Sequence, residues 1–371
     1  TALCRLEDNM SLAEARDSRF KQWQHAATDV HSSLAAKHEV IKKASAQDAL
    51  RVLLLANINA VSGSTSAIGG APLSNAPCAI YPIFCRLEHS CLPNVIFHNL
   101  PDGPLEIVVR TRRAVKAGES LAISYVLLDE PTHRRQEDLQ RDKYFRCACK
   151  RCTAGEGDIC SLRCRSQSGR SICRGKIQPR GVDYDLHREP WVCNTCGATV
   201  PFAEVLGFET QMFKDFEAAN SAEACERSLS DFGSRLSQDH YMRFLLQAQR
   251  AELLLRPLER QILSAKAREV PSKVVEEVCR LYEEFVLPWA KRSLPRRVLQ
   301  MHSSWCTMFY RLGQARLVLA THTGNPSLFR GALEAYEEAL AETQLCLGQE
   351  FAAPLRGFVG QLKRSVTNMG K

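Results

Sequence analysis

Three closely spaced cysteines constrain the fold of this chain more than any other feature. Cys147, Cys149 and Cys152 have the spacing C-x-C-x2-C, and three thiolates this close leave a tetrahedral zinc ion one ligand short. Cys91 is the obvious fourth ligand, because it lies in the segment EHSCLPN directly before the strand-like residues 95–98. The chain is therefore predicted to fold back so that these four sulfurs meet. A zinc-stapled β-domain with no chemistry of its own is the simplest alternative.

A second group of cysteines follows the first. Cys193 and Cys196 form a C-x2-C pair followed by glycine, the pattern of a zinc knuckle whose backbone amides point at the sulfurs. Cys164 and Cys173 are the predicted remaining ligands, although they are too far apart for a second knuckle, and Cys160 is an alternative to Cys164. Two structural zinc ions are expected, since four thiolates leave no open coordination position for catalysis. Unliganded core cysteines are the alternative.

The number of cysteines and the distribution of charge predict the cellular compartment of the protein and the kinds of partner it does not bind. Sixteen cysteines in 371 residues, spaced like metal ligands, predict a reducing compartment and hence a cytoplasmic and/or nuclear protein. No apolar run approaches the roughly 18 residues of a membrane-spanning helix, and the N-terminus has no signal-peptide core, so no membrane association is expected. The net charge of +8 is concentrated in residues 110–188. Thiolates bound to Zn²⁺ would offset much of it there, so direct nucleic-acid binding is not expected.

The chain is predicted to be α+β, with helices at both ends and short strands between them. Residues 49–56 are apolar nearly all round, which predicts a buried helix, and residues 62–75 have the composition of a loop. The strand-like residues 95–98 and 106–110 flank an Asp-Gly turn, which is typical of a hairpin, and residues 121–125 are a third predicted strand.

From about residue 203 onward the sequence predicts helices only. An apolar stripe of helical spacing runs from Val274 to Phe285 and is expected to stop at Pro288. Ser327 is the expected N-cap of a later helix. The pattern at 332–340 is similar to a tetratricopeptide helix.

The order of these parts resembles the SET domain of lysine methyltransferases. The EHSC segment, the turn and strand GESLAISY that end at Tyr125, and the C-x-C-x2-C group carry the resemblance. Their spacing resembles the SET-and-MYND (SMYD) family, and the Trp-x-Cys-x2-Cys extension resembles its arthropod-type members. The resemblance covers nearly all of the chain. It implies a helical insert region at 1–65, the C-terminal part of a SET domain at 66–126, a post-SET and zinc-binding extension at 127–200, and a helical C-terminal domain at 201–371.

The resemblance also implies roles for individual residues. Tyr125 would be the catalytic residue, with its hydroxyl orienting a lysine amine and the methyl group of S-adenosylmethionine. Asn59, Glu88, His89 and Phe145 would form the cofactor-binding set, and Phe145 would also wall the lysine channel. Asn59 is as well explained as a helix C-cap, and a Tyr or Phe at a strand end is commonly a core residue.

Three departures from the family bear on function. Glu88 stands where the family usually has Asn, Lys143 stands where it often has an aromatic residue, and the family's Gly-x-Gly cofactor loop and MYND zinc finger have no counterpart in this sequence. The first hypothesis is a protein-lysine methyltransferase that uses S-adenosylmethionine on a histone or another protein, with this stretch alone inactive. The alternative is a catalytically inactive, SET-derived zinc scaffold that binds partner proteins through its helical C-terminal domain.

Overall fold

The computed structural model describes residues 10–16, 19–62, 78–99, 106–154, 157–168, 171–181, 188–262, 269–294 and 303–369. Within these residues the protein is α+β, with helices at both ends and small β-sheets between them. Most of the predicted loop at 62–75 and the turn of the predicted hairpin lie outside the described residues. The predicted domain limits stay predictions.

Four helices begin the described chain, and the first, second and fourth share a small core. They are α1 (Met10–Arg16), α2 (Phe20–Ala35), α3 (Glu39–Lys42) and α4 (Ala46–Asn59). Phe20 of α2 is buried in one cluster with Leu50 and Leu54 of α4. The prediction of a helix buried on all sides is wrong at Val52, which is 65% exposed. The reason is that α4 packs mainly against α2, and Val52 is left on the solvent side of the helix.

Six short strands form the central β region. They are β1 (Ala60–Ser62), β2 (Cys78–Ile80), β3 (Glu88–His89), β4 (Val95–Asn99), β5 (Ile107–Thr111) and β6 (Ala122–Ile123). Strands β4 and β5 pair antiparallel, which confirms the predicted hairpin strands, and β1 pairs with β2 in the same way. The predicted strand at 121–125 is shorter than expected. It pairs in parallel with β3, so His89 lies opposite Ile123 and the EHSC segment comes close to Tyr125.

The cysteine-rich region contains two helices and six strands. They are α5 (Thr132–Lys143), α6 (Lys150–Ala154), β7 (Leu162–Arg163), β8 (Gln167–Ser168), β9 (Ser171–Ile172), β10 (Lys176–Gln178), β11 (Trp191–Cys193) and β12 (Thr199–Val200). Four of them form an antiparallel sheet in the order β12-β11-β10-β7. Tyr144 directly follows α5 as its C-cap residue, and its φ of 62° is unusual for a bulky residue. Tyr144 is buried among the N-terminal helices, which holds the turn between α5 and the first cysteines.

Helices make up the rest of the described chain. They are α7 (Phe202–Ala218), α8 (Ala222–Gly233), α9 (Tyr241–Leu255), α10 (Glu259–Ile262), α11 (Ser272–Arg280), α12 (Leu287–Ser293), α13 (Ser303–Thr323), α14 (Pro326–Cys346) and α15 (Gln349–Met369). Helix α14 packs against both α13 and α15. No helix in the described part of the chain is long and apolar enough to span a bilayer.

Two predicted helix boundaries are wrong. Pro288 does not end the helical chain, because a π-helical segment at Leu281–Val286 precedes it and places Pro288 in the first turn of α12. A missing N–H costs little in a first turn. Asn325, rather than Ser327, caps α14. Its side chain accepts a hydrogen bond from the Ser327 N–H at 2.9 Å, with Pro326 in the first helical position.

One continuous core joins the cysteine-rich region to the C-terminal helices. Cys91 and Trp191 belong to the same buried cluster as residues of α7 to α15. The central β region is tied to this body by Arg112, which directly follows β5. Its guanidinium lies 2.8 Å from a Glu342 carboxylate oxygen and 2.9 Å from Cys346 Sγ, both on α14. The hairpin is thereby fixed against the C-terminal helices.

Candidate functional site

The structure brings the first group of cysteines together. The Sγ atoms of Cys91, Cys147, Cys149 and Cys152 all lie within 4.8 Å of one another, and those of Cys91 and Cys152 are 3.6 Å apart. Zinc–sulfur bonds of about 2.3 Å in a tetrahedron place sulfurs about 3.8 Å apart. The donor set and its spacing therefore fit Zn²⁺, and four protein ligands would complete its coordination.

Neighbouring groups favour thiolates at this position. Arg135 is fully buried, and its Nε donates to Cys91 Sγ at 3.3 Å while its Nη2 lies 3.8 Å from Cys152 Sγ. The Nδ1 atom of His89 accepts from the backbone N–H of Tyr125 at 3.0 Å, so the neutral ring carries its proton on Nε2, 3.3 Å from Cys91 Sγ. Burial lowers the pKa of His89 to about 4, which keeps the ring neutral near pH 7. His89 thus links the cysteine group to the strand end at Tyr125.

The second group of sulfurs is equally compact. Those of Cys164, Cys173, Cys193 and Cys196 lie within 4.8 Å of one another, with distances of 3.6 Å from Cys164 to Cys196 and 3.7 Å from Cys173 to Cys193. Cys164, and not Cys160, stands in this group. These spacings also fit a tetrahedral zinc–thiolate site.

Backbone amides point at the sulfurs of the second group, as expected for a knuckle. The N–H of Gly175 donates to Cys173 Sγ at 3.3 Å, and the N–H of Thr195 donates to Cys193 Sγ at 3.4 Å. Gly175 is enclosed, because a Cβ added there would lie 2.5 Å from Cys193 Sγ and 2.6 Å from Thr195 Oγ1. Only glycine therefore fits between the two cysteine-bearing turns.

Gly175→Ala should abolish metal binding at the second group. The added methyl group would push Cys193 out of the set, so we expect the bound zinc to fall by one ion per chain, together with a lower melting temperature. Gly357→Ala is the matched control, since a Cβ at that helical position meets nothing within 4 Å. It should keep all the metal and raise stability by about 0.5–1 kcal/mol. Unchanged zinc content in Gly175→Ala would contradict metal binding at this group.

A cavity of about 390 Å³ opens beside the first cysteine group. Its size is within the range of small-molecule sites. It lies between the EHSC segment, the turn before β6 and the loop that carries Cys147 and Cys149. The residues that matter for its chemistry are Glu88, His89, Asn94, Glu119, Phe145 and Arg146.

One wall of the cavity is held by Asn94, for which the sequence alone predicted no role. Its Oδ1 accepts from the Ala122 N–H at 2.9 Å, and its Nδ2 donates to the Ser120 carbonyl at 2.9 Å and to Glu119 at 3.1 Å. Arg113 pairs with Glu119 and lowers the pKa of that carboxyl to about 2. The wall thus carries a fixed, ionised carboxylate. The position of Asn94 inside EHSCLPN was the available signal.

Two rings that line the cavity, those of His89 and Phe145, contact a third ring, Tyr125, which does not itself line it. The Tyr125 ring lies 5.2 Å from that of His89 and 6.4 Å from that of Phe145, and His89 and Phe145 are 5.9 Å apart. The Tyr125 hydroxyl donates to the backbone carbonyl of Leu87. Burial raises the pKa of Tyr125, so the phenol stays protonated at neutral pH. The arrangement offers a hydroxyl and a carbonyl beside a partly desolvated aromatic corner.

Curated proteins similar to this chain carry SET domains. The SET domain-containing protein SmydA-8, isoform B, of Drosophila melanogaster is 30% identical over 162 residues, 43% of this chain and 34% of that protein. Human N-lysine methyltransferase SMYD2 is 34% identical over 142 residues, 38% of this chain and 31% of that protein. A SET and MYND domain-containing protein of Dictyostelium discoideum is 33% identical over 84 residues, 23% of this chain and 21% of that protein. The homologues of this chain are SMYD proteins.

The similarity to SMYD proteins is partial. The chain spans about a third or less of the length of these curated relatives. No protein-family model matches it.

The residues that the SMYD resemblance assigns to the cofactor lie in two places. Glu88, His89 and Phe145 line the cavity. Asn59 is the last residue of α4, where its side-chain amide donates to the Leu55 carbonyl of its own helix at 2.9 Å. That bond agrees with a local role at the helix end. The functional roles of all four residues stay predictions.

A buried polar network behind the cysteine region was missed by the sequence reasoning. His133 of α5 contacts Glu209 of α7 at 2.7 Å, and His240 lies 3.9 Å from the other Glu209 oxygen; all three side chains are fully buried. His240 also caps α9, because its Nδ1 accepts from the Met242 N–H at 3.2 Å. No local pattern could reveal this network, since His133 and Glu209 are 76 residues apart.

Proposed function

We propose that this SMYD-like chain acts in a protein-lysine methyltransferase that uses S-adenosylmethionine, with a histone or another protein as substrate. The observation that carries the proposal is that Tyr125 contacts both His89 and Phe145, two rings that line the cavity. Relatives such as human SMYD2, which are named N-lysine methyltransferases, support it. We further propose two structural zinc ions, one in each cysteine group, and a cytoplasmic and/or nuclear location.

The chemistry needs a neutral amine held in line with the methyl donor. Free lysine has a pKa near 10.4, and a desolvated site lowers it because burial disfavours the charged form. Tyr125 and Phe145 supply such a site. The protonated phenol of Tyr125 and the Leu87 carbonyl orient the amine. Such orientation matters because an in-line displacement depends on how well the amine and the methyl group are aligned. Glu88, His89 and Phe145 would hold S-adenosylmethionine, which supplies the methyl group on its sulfonium.

Two measurements test this proposal: calorimetry with S-adenosylmethionine, and transfer of a labelled methyl group to a histone mixture. Both are made on this chain and on a version that also carries a Gly-x-Gly half. Tyr125→Phe should lower methyl transfer about a hundredfold or more, because a positioned hydroxyl donor is lost. Cofactor affinity should stay the same, because the ring remains. Cofactor binding without any methyl transfer to lysine would contradict the proposal.

Glu88→Asn should tighten cofactor binding. The substitution supplies the donor amide that the resemblance expects, and a hydrogen bond of roughly 0.5–1.5 kcal/mol corresponds to about two- to tenfold in affinity. The sign reverses if Glu88 accepts from the adenine amino group or pairs with the sulfonium, since charge-assisted bonds are stronger. Glu106→Asn, at another exposed position, is the control. The comparison is made in a version of the protein that also carries a Gly-x-Gly half. If calorimetry there detects no binding with Glu88 or with Asn at this position, the methyltransferase proposal fails.

A second candidate, the inactive scaffold, is favoured by a groove of about 980 Å³ in the C-terminal helices. Trp305 and Phe309 form part of its apolar lining. Glu334 and Glu338 also line it, as do Arg316 and Glu283, whose Nε and carboxylate oxygen are 2.8 Å apart. This combination suits a basic amphipathic segment of a partner protein. Fluorescence anisotropy with a labelled helical Lys/Leu peptide, against its Glu/Leu counterpart, tests it. Equal binding of the two peptides would exclude this charge preference.

A further inference from the structure

Lys143 reaches the same aromatic corner from the end of α5. Its Nζ lies 5.5 Å from the centroid of the Tyr125 ring and donates to the backbone carbonyl of Ile58. The side chain is half-buried, and this burial lowers the pKa of Lys143. A lysine amine of the chain itself is therefore held by a carbonyl against the tyrosine that the proposed function makes catalytic.

The geometry resembles what a substrate lysine would need. An amine entering this corner requires an aromatic face, a carbonyl acceptor and partial desolvation, and Lys143 already has all three. A purely structural explanation also exists: a cation at the last turn of α4 is favourable because it offsets the helix dipole there. The two explanations differ in what happens when the amine is removed.

We propose that the Lys143 amine occupies the place at Tyr125 that an incoming lysine amine would take, so that the chain carries an internal competitor for its own substrate site. The identity of the incoming group rests on the proposed function. The occupancy rests on the contacts of Lys143 with Tyr125 and Ile58. A free lysine side chain must displace Lys143 before it can bind.

The test is an NMR titration with N-acetyl-lysine methylamide, carried out on the whole chain without S-adenosylmethionine. If Lys143 fills the site nine-tenths of the time, its removal tightens the apparent affinity about tenfold. We expect that gain in Lys143→Met. Lys143→Arg keeps a cation there and should behave like wild type, and Lys363→Met, which breaks a surface pair with Glu337, is the control. Lys143→Gln replaces the methionine variant if the latter does not fold.

Each outcome decides one point. Unchanged affinity in Lys143→Met or Lys143→Gln, with a lowered melting temperature, overturns the proposal and leaves Lys143 as a tie between α4 and α5. No probe binding by any variant also overturns it. A gain in affinity supports the internal competitor even where methyl transfer is absent, and in that case the methyltransferase proposal alone fails. If the protein transfers methyl groups but its affinity for the probe does not change when Lys143 is replaced, the methyltransferase proposal stands and the internal competitor is overturned.

Discussion

Cys91→Ser should destabilise the protein more than the replacement of any cysteine that lies outside the two sulfur groups. A four-thiolate zinc site contributes binding free energy of order 10 kcal/mol to folding, and loss of one thiolate forfeits much of it. The substitution also leaves the fully buried Arg135 without the sulfur to which its Nε donates. We expect a large fall in melting temperature and one zinc ion fewer per chain, measured by metal analysis of protein purified without chelator.

Cys225→Ser is the matched control for Cys91→Ser. Cys225 is as buried as Cys91 but lies on α8, outside both sulfur groups. Its replacement should cost about 1–3 kcal/mol, the price of a buried hydroxyl without a good partner, and leave the metal content unchanged. Equal melting temperatures for the two variants would show that Cys91 is not a ligand. A wild-type content of one zinc ion or none would contradict the two-site proposal.

Glu209→Gln should cost about 1–3 kcal/mol of unfolding free energy at pH 7. Glu209 is fully buried, with one carboxylate oxygen facing His133 and the other facing His240; an amide replaces one of these acceptors by an NH2 group that can only donate. Glu217→Gln, at an exposed position of the same helix, should change stability by less than about 0.5 kcal/mol. Urea unfolding of both variants checks the difference. Similar midpoints would show that the Glu209 charge does not stabilise the fold.

The same network predicts loss of stability in acid. Burial lowers the pKa of His240 from 6.5 to about 4. Burial alone would raise the pKa of Glu209, but the interaction and hydrogen bond with His133 lower it. Both groups therefore bind protons less readily in the folded state than in the unfolded chain. Stability should fall as the pH drops from about 6.5 towards 4, by of order 3 kcal/mol for His240.

The acid effect is measured as a difference between two proteins, because acid also protonates zinc-bound thiolates. His240→Asn keeps a side chain that can cap α9 but removes the titrating ring. Urea midpoints of wild type and His240→Asn should converge as the pH falls from 7 to 5. Parallel curves would contradict the contribution of His240.

Local sequence was enough to predict a site where its ligands lie only a few residues apart. The C-x-C-x2-C and C-x2-C-Gly patterns already predicted two groups of sulfurs, because ligands a few residues apart must share one turn. Two strand-like apolar runs on either side of an Asp-Gly turn predicted the hairpin strands, and helical spacing of apolar residues predicted the C-terminal helices. Helix boundaries were less reliable. The π-helical segment before Pro288 and the Asn325 cap depend on how each helix meets its neighbours, and the sequence pattern does not contain that information.

The sequence by itself determined which residues could carry chemistry: the cysteines, Tyr125, Phe145 and the EHSC segment. Only the tertiary structure decided which of them meet. In the structure Cys164, and not Cys160, lies in the second sulfur group. The Asn59 amide donates to a carbonyl of its own helix, and the Lys143 amine lies over the Tyr125 ring. The physical reason is that contacts between distant segments follow from the packing of whole helices and sheets around one core. A single residue's neighbours in sequence do not encode that packing.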